Sequence, residues 1–161
     1  MKTLRITFEH VKGGQYVGPD VSEYDGHVEI AANLGRVEFS GSIRVKGSLR
    51  SEAGSGIEAG SGIKAGESIE AGSGIEAGWG IEAGLAVVAK TVSSGRRIFA
   101  GLCLWRLPQP EEMEIRAKVL AGTVAYGTVA EPPEENDGVG DEQADDGTLI
   151  LNGRTYRLVA A

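Results

Sequence analysis

The chain has 161 residues, 41% of them hydrophobic and 24% charged, and a net charge of -7, which predicts one folded domain rather than a disordered chain. Since we find no run of 18 apolar residues and no secretion signal, we expect no membrane span and a cytoplasmic protein. The single cysteine, Cys103, excludes an intrachain disulfide bond and a multi-cysteine metal site.

Residues 1–36 carry two alternating patterns that predict strands. Leu4, Ile6, Phe8 and His10 alternate with more polar residues, and a second alternation runs through Val28, Ile30, Ala32 and Leu34. We predict that this region forms an N-terminal cover for the domain.

Residues 37–92 repeat a six-residue phrase, seen as IEAGSG, IKAGES, IEAGSG, IEAGWG and IEAGLA. Apolar or small residues fall at odd positions and charged residues or glycine at even ones, which is the alternation of a strand. Because one strand cannot run that far in a small domain, we predict a short β-helix of about three coils that turns at the glycines. A coil of three hexads, or 18 residues, with a two-residue insertion near Ser51 to Gly56 in the first coil, predicts three interior columns, Val37/Ile57/Ile75, Ile43/Ile63/Ile81 and Leu49/Ile69/Val87.

Residues 93–130 are predicted to form C-terminal capping strands. Ile98 to Leu107 is apolar on both faces, so we expect a buried strand with Trp105 in the core. The alternation from Met113 predicts a further strand toward Val129, with a helix as the competing interpretation because the segment is rich in helix formers.

The segment Glu131 to Gly147 holds eight acidic residues and no basic one, whereas the rest of the chain is nearly balanced. We predict a mobile acidic loop over residues 131–147, because so polar a stretch buries too little apolar surface to become ordered. Residues 148–161 then predict a β-hairpin around Asn152-Gly153. The loop's candidate partner-binding carboxylates are Glu134, Glu135, Asp137, Asp141, Glu142, Asp145 and Asp146.

The phrase I-E-A-G-S-G resembles the hexapeptide repeat of left-handed β-helix proteins, over about 55 of 161 residues. That resemblance implies an all-β fold and, in many such proteins, an acyltransferase with a histidine base beside the coils. Here His10 and His27 both precede the repeats, which disfavours that activity. The repeats also resemble those of bactofilins, which implies end-to-end polymerisation. They are similar, too, to uncharacterised proteins of phage and mobile elements, a likeness that permits an inhibitor of a host system.

The outward residues of the predicted coils supply the candidate binding groups. Glu38, Glu58 and Glu76 fall in one column of like charge, whereas the other two columns, Arg44/Lys64/Glu82 and Arg50/Glu70/Val88, are mixed. Trp79 is predicted at a corner, as a partly exposed binding anchor or as edge packing. We find no catalytic constellation, metal site, cofactor site or basic aromatic surface for nucleic acid.

We therefore expect an all-β, non-enzymatic protein-binding module that presents an acidic surface to a basic protein partner, without direct nucleic-acid or membrane binding. The sharpest version is a phage-type inhibitor of a host nucleic-acid-binding defence system, such as an anti-CRISPR protein. The alternatives are a polymer-forming scaffold, which would be a homo-oligomer, and a degenerate acyltransferase.

Overall fold

The computed structural model of the protein describes residues 1–133 together with the short strands at 142–143, 148–151 and 154–157. Within these residues the regular structure is β-strand, apart from two short 3-10 helices at Phe8–His10 and Pro110–Met113. No helix in the described residues is long and apolar enough to cross a membrane.

Fifteen strands form one continuous sheet that winds into a β-helix. In chain order they are β1 Lys2–Ile6, β2 Val11–Lys12, β3 Gln15–Tyr16, β4 Gly26–Ile30, β5 Gly35–Phe39, β6 Ile43–Val45, β7 Leu49–Ser51, β8 Ser55–Ala59, β9 Ile63–Ala65, β10 Ile69–Glu70, β11 Gly74–Ala77, β12 Ile81–Ala83, β13 Val87–Phe99, β14 Glu114–Tyr126 and β15 Thr128–Ala130.

The winding gives three faces, each a stack of parallel strands from successive coils. Face A contains β1, β4, β7, β10, the starts of β13 and β14, and β15. Face B contains β3, β5, β8, β11 and the middle of β13 and β14. Face C contains β6, β9, β12 and the ends of β13 and β14.

The strand register confirms the three predicted interior columns. Ile57 pairs with Val37 and Ile75, Ile63 pairs with Ile43 and Ile81, and Ile69 pairs with Leu49 and Val87. All nine side chains are almost completely buried, because their odd positions point into the space between the three faces. The core is therefore a set of aliphatic columns along the β-helix axis.

The stack has about five turns, more than the three coils predicted from the repeats. β1 and β4 continue face A toward the N-terminus, and β14 continues all three faces toward the C-terminus. The segment after Met113 is thus a strand rather than the competing helix. These flanking segments lengthen the β-helix because their apolar residues extend the same interior columns.

Glycine at the corners allows successive coils to approach closely. A methyl group on Gly78 would collide with the backbone carbonyl of Gly60 in the coil before it, and one on Gly95 would collide with the carbonyl of Gly78. At this corner the backbones themselves stack, which explains why glycine recurs in the sixfold pattern.

The predicted buried strand from Ile98 to Leu107 is wrong beyond Phe99, where β13 ends. The following residues leave the stack as a surface loop, in which Trp105 is 63% exposed rather than in the core. Beside it Leu104 and Leu107 are also exposed. Apolar composition alone did not separate a buried strand from an exposed apolar loop.

The C-terminal region forms a separate antiparallel sheet of three strands, β16 Glu142–Gln143, β17 Thr148–Leu151 and β18 Arg154–Arg157. β17 pairs with β18, as the hairpin prediction requires. The predicted turn at Asn152-Gly153 and most of the predicted acidic loop lie outside the described residues.

Candidate functional site

Face B carries the predicted column of glutamates. Glu58 pairs in register with Glu38 in one neighbouring coil and with Glu76 in the other. The column is not purely acidic, because the Arg36 guanidinium lies 3.2 Å from the Glu58 carboxylate and 3.6 Å from that of Glu76. One cation thus bridges two coils, and Glu38 has no ion pair within the described part of the chain.

Arg36 lies beside small residues on face B. In the next two coils its column continues with Gly56 and Gly74, and these three residues line one shallow depression of this face. The result is an exposed strip with three carboxylates and one guanidinium, so a cationic partner would still meet a net negative surface.

Trp79 lies at the corner between faces B and C, and its side chain is 61% exposed. The backbone N–H of Trp79 donates to the Ser61 carbonyl (3.1 Å). The backbone carbonyl of Trp79 accepts hydrogen bonds from the Arg96 backbone N–H and the Ser94 hydroxyl, both at 2.7 Å. The Arg96 guanidinium also sits 5.7 Å from the centre of a Trp79 ring, which is a cation–π contact. The backbone that carries this exposed indole is therefore fixed on both sides.

Face C has a different character, with basic and aromatic residues pointing outward. The column of Arg44, Lys64 and Glu82 continues in register to Phe99 and then Tyr126. The Lys64 ammonium pairs with Glu82 at 3.3 Å. In the adjacent strip lie Arg96 and Arg97.

The surface loop after β13 flanks the other side of face C. Within it the Arg106 guanidinium makes two 2.6 Å hydrogen bonds to Glu112 and lies 4.9 Å from the ring centre of Trp105. The bonds from Arg106, with a further one from the Gln109 N–H, lower the pKa of Glu112 to about 2. The loop is therefore tied at its base while its apolar side chains face solvent.

The two histidines have structural contacts. His27 lies in β4 and is half-buried, not in a solvent-facing loop, and its Nδ1 accepts the Ser48 N–H at 2.9 Å. Nδ1 of His10 accepts the Thr7 N–H at 3.1 Å. Asp25, two residues before His27 in the chain, pairs with Lys46 at 3.3 Å. In the described residues no group of three or more acidic, histidine or cysteine side chains could hold a metal ion.

The structure brings four of the predicted site residues together on one side of the β-helix. Glu38, Glu58 and Glu76 form the face B column, and Trp79 lies at the adjoining corner. Glu142 lies in β16, and nothing is described of its side chain. The remaining candidates of the acidic segment lie outside the described residues, namely Glu134, Glu135, Asp137, Asp141, Asp145 and Asp146.

Sequence reasoning missed the basic and aromatic residues of face C. Arg44 and Lys64 were placed in one column, but the coil that adds Arg97 and Phe99 was interpreted as a cap. The sequence spacing could have indicated this coil, because the separation between Glu82 and Phe99 is close to one coil length. No protein-family model, curated protein or solved structure matches the chain.

Proposed function

We propose that the protein is a non-enzymatic binding module whose β-helix presents the face B column and Trp79 to a basic surface of a protein partner. The single observation that carries the proposal is the exposed Trp79 held at a fixed corner beside three outward carboxylates. Aromatic side chains on pre-organised backbone are favoured binding anchors because little conformational freedom is lost when they are buried.

Charge supports a cationic partner on the same side. With Arg36 bridging Glu58 and Glu76, the strip retains an excess of negative charge, and Glu38 is exposed. Such a strip would speed association with a basic surface and disfavour acidic ones. The contact would weaken as salt concentration rises, since these charges are solvent-accessible.

The sharpest version of this proposal is an inhibitor that occupies the basic surface of a nucleic-acid-binding protein. A phage-type inhibitor of a host defence system, as anti-CRISPR proteins are, fits that description. Face B supports this version, because its carboxylates repeat at the spacing of β-strands and form a regular anionic row. A protein surface that binds phosphates would attract such a row.

The test measures the affinity of purified nucleic-acid-binding effector proteins for the immobilised chain. E38K/E58K/E76K should weaken binding by at least about 100-fold, as expected for several charge reversals in one interface. W79A should weaken it about tenfold or more. The matched control is E9K/E23K/E111K, which makes the same change in net charge at exposed carboxylates elsewhere. Equal losses in control and face B variants would show that only bulk charge matters and would reject the proposal.

A polymer-forming scaffold is the second candidate, and the last coil favours it. Val129 continues an interior column of face A beyond Ile115, yet it is 53% exposed. An end of this kind could stack on another end. Sedimentation distinguishes the two functions, because filaments at ordinary salt would favour the scaffold and a discrete monomer or dimer would favour the binder.

A further inference from the structure

Three adjoining cavities open onto face C and together form a shallow trough, which we call the face C trough. Their volumes are about 720, 450 and 200 Å³. The sheet of face C is the floor, the Trp79 corner is one wall, and the loop that carries Trp105 is the other. We propose that the face C trough binds single-stranded nucleic acid, a function that goes beyond the protein-partner binding assigned to face B.

The charge of the trough is positive. Arg44, Arg96 and Arg97 line it, and Arg44 and Arg97 have no acidic partner within the described part of the chain. Lys64 is offset by Glu82, which is the one carboxylate among the described residues that line these three cavities. Arginine suits a phosphate backbone because its planar group donates two parallel hydrogen bonds and stays charged.

The aromatic residues of the trough provide surfaces on which bases can stack. Phe99 and Tyr126 are direct neighbours in adjacent strands, and Trp79 and Trp105 stand at the two walls. Proteins that bind single strands combine these elements, a positively charged groove that follows the backbone and aromatic rings on which successive bases stack.

An acidic peptide is the competing ligand, and the trough favours it less. The floor strands β9 and β12 already pair on both sides, so their backbone groups are not free to bind an extended peptide as an added strand. The carboxylates of an acidic peptide would pair with the guanidinium groups but would not stack on the planar rings beside them. Single-stranded nucleic acid uses both.

The overall net charge of -7 does not describe the trough, because the segment 131–147 contains eight acidic residues and no basic one, and the rest of the chain has 15 acidic and 16 basic residues. Binding should depend on salt. If three or four phosphates are neutralised, the logarithm of the binding constant should fall with the logarithm of salt concentration with a slope of about -2 to -3.

The experiment uses the full chain and a fluorescein-labelled oligothymidylate of about 12 nucleotides, a length that one binding face can cover. Fluorescence anisotropy measures affinity between about 50 and 200 mM salt. The wild-type chain should bind, and both F99A/Y126A and R44E/R97E should weaken binding by at least about tenfold. K2E/K12E changes the net charge as R44E/R97E does, at exposed lysines outside the trough, and should change affinity by less than about threefold.

Several outcomes would overturn the proposal. These are no binding by the wild-type chain, equal losses in K2E/K12E and R44E/R97E, or displacement by poly-glutamate as effective as that by unlabelled oligothymidylate, which would indicate an acidic peptide. R44K/R97K keeps the charge and should retain part of the affinity, and thermal melting checks that each variant folds. None of these variants alters Glu38, Glu58, Glu76 or Trp79, so capture of a protein partner by face B succeeds or fails independently.

Discussion

Arg36 bridges two coils of the β-helix by lying 3.2 Å from Glu58 and 3.6 Å from Glu76. Without it, three carboxylates would stand one strand spacing apart, and no other cation among the described residues forms an ion pair with them. The glutamate column is therefore not a row of three unpaired charges. It has a net negative charge, and two of its carboxylates are paired with Arg36.

Replacing Arg36 with alanine should therefore destabilise the protein in a salt-dependent way. We expect a loss of up to about 1 kcal/mol at low salt, since exposed ion pairs contribute little and the repulsion it relieves is screened. Urea unfolding at low and high salt measures this. R36K keeps the charge and should recover most of the loss, whereas a loss in R36A that is unchanged by salt would mean that packing rather than charge is responsible.

The corner glycines predict a contrast between two alanine substitutions. Gly78→Ala should destabilise the protein by about 1–3 kcal/mol, because the new methyl group meets the Gly60 carbonyl and the backbone must shift. Gly41 is a matched control, since its φ is not left-handed and no described atom lies within 4 Å of the added carbon. Gly41→Ala should be neutral or stabilising by under about 1 kcal/mol. Equal effects in thermal melting would contradict close stacking at the Gly78 corner.

Face A offers the same substitution at two depths of one interior column. Val87 is fully buried, so Val87→Ala should cost about 2–3 kcal/mol through the lost burial of two carbons and the cavity left behind. Val129 lies at the end of that column and is 53% exposed, so Val129→Ala should cost less than about 1 kcal/mol. Chemical denaturation measures both. Similar losses would mean that the last coil is covered in solution.

Glu112 should titrate far below other glutamates. Its pKa is lowered to about 2 from an ordinary 4.5, chiefly by the hydrogen bonds from Arg106. A depressed carboxyl pKa stabilises the fold above about pH 4.5, and that contribution is lost as pH falls through about 2. NMR titration of the side-chain carboxyl should show this midpoint.

Arg106→Ala should raise the Glu112 midpoint toward its ordinary value, with the Gln109 N–H still holding it somewhat below. Arg116→Ala is the control, because Arg116 lies near Glu114 and makes no contact with Glu112. A midpoint for Glu112 near 4.5 in the unaltered protein would show that the base of the loop is not tied as described.

The central part of the fold could be predicted from the sequence because its repeat is regular. Once a coil length of 18 residues was inferred from Ile57 and Ile75, the register of all three interior columns followed. The coil at the C-terminal end was missed, because β13 carries register shifts between Val88 and Thr91 and again before Arg97 that break the sixfold spacing. Irregular coils also bury apolar residues in the interior columns, but they do not keep the six-residue spacing of the repeats.

The candidate site was predictable to a similar extent. The glutamate column and the corner position of Trp79 followed from the repeat, whereas the bridge by Arg36 required knowing that a long side chain lies across Gly56 and Gly74. The exposure of Trp105 was not predictable, because an apolar segment gives no sign of whether the fold or a partner covers it. Neither the bridge by Arg36 nor the exposure of Trp105 can be derived from the six-residue repeat.

The central claim is that residues one coil apart lie side by side, and cysteine pairs test it most directly. In a C103S background, E58C/E76C should form a disulfide under mild oxidation, because the Cα atoms of directly paired residues, about 4.8 Å apart, lie within the range that disulfides span. E58C/K64C is closer in sequence but spans faces B and C, and should remain reduced. Peptide mapping that finds the first disulfide and not the second is the predicted result. Cross-linking of E58C/K64C with none in E58C/E76C would contradict the β-helix and both binding surfaces that depend on it.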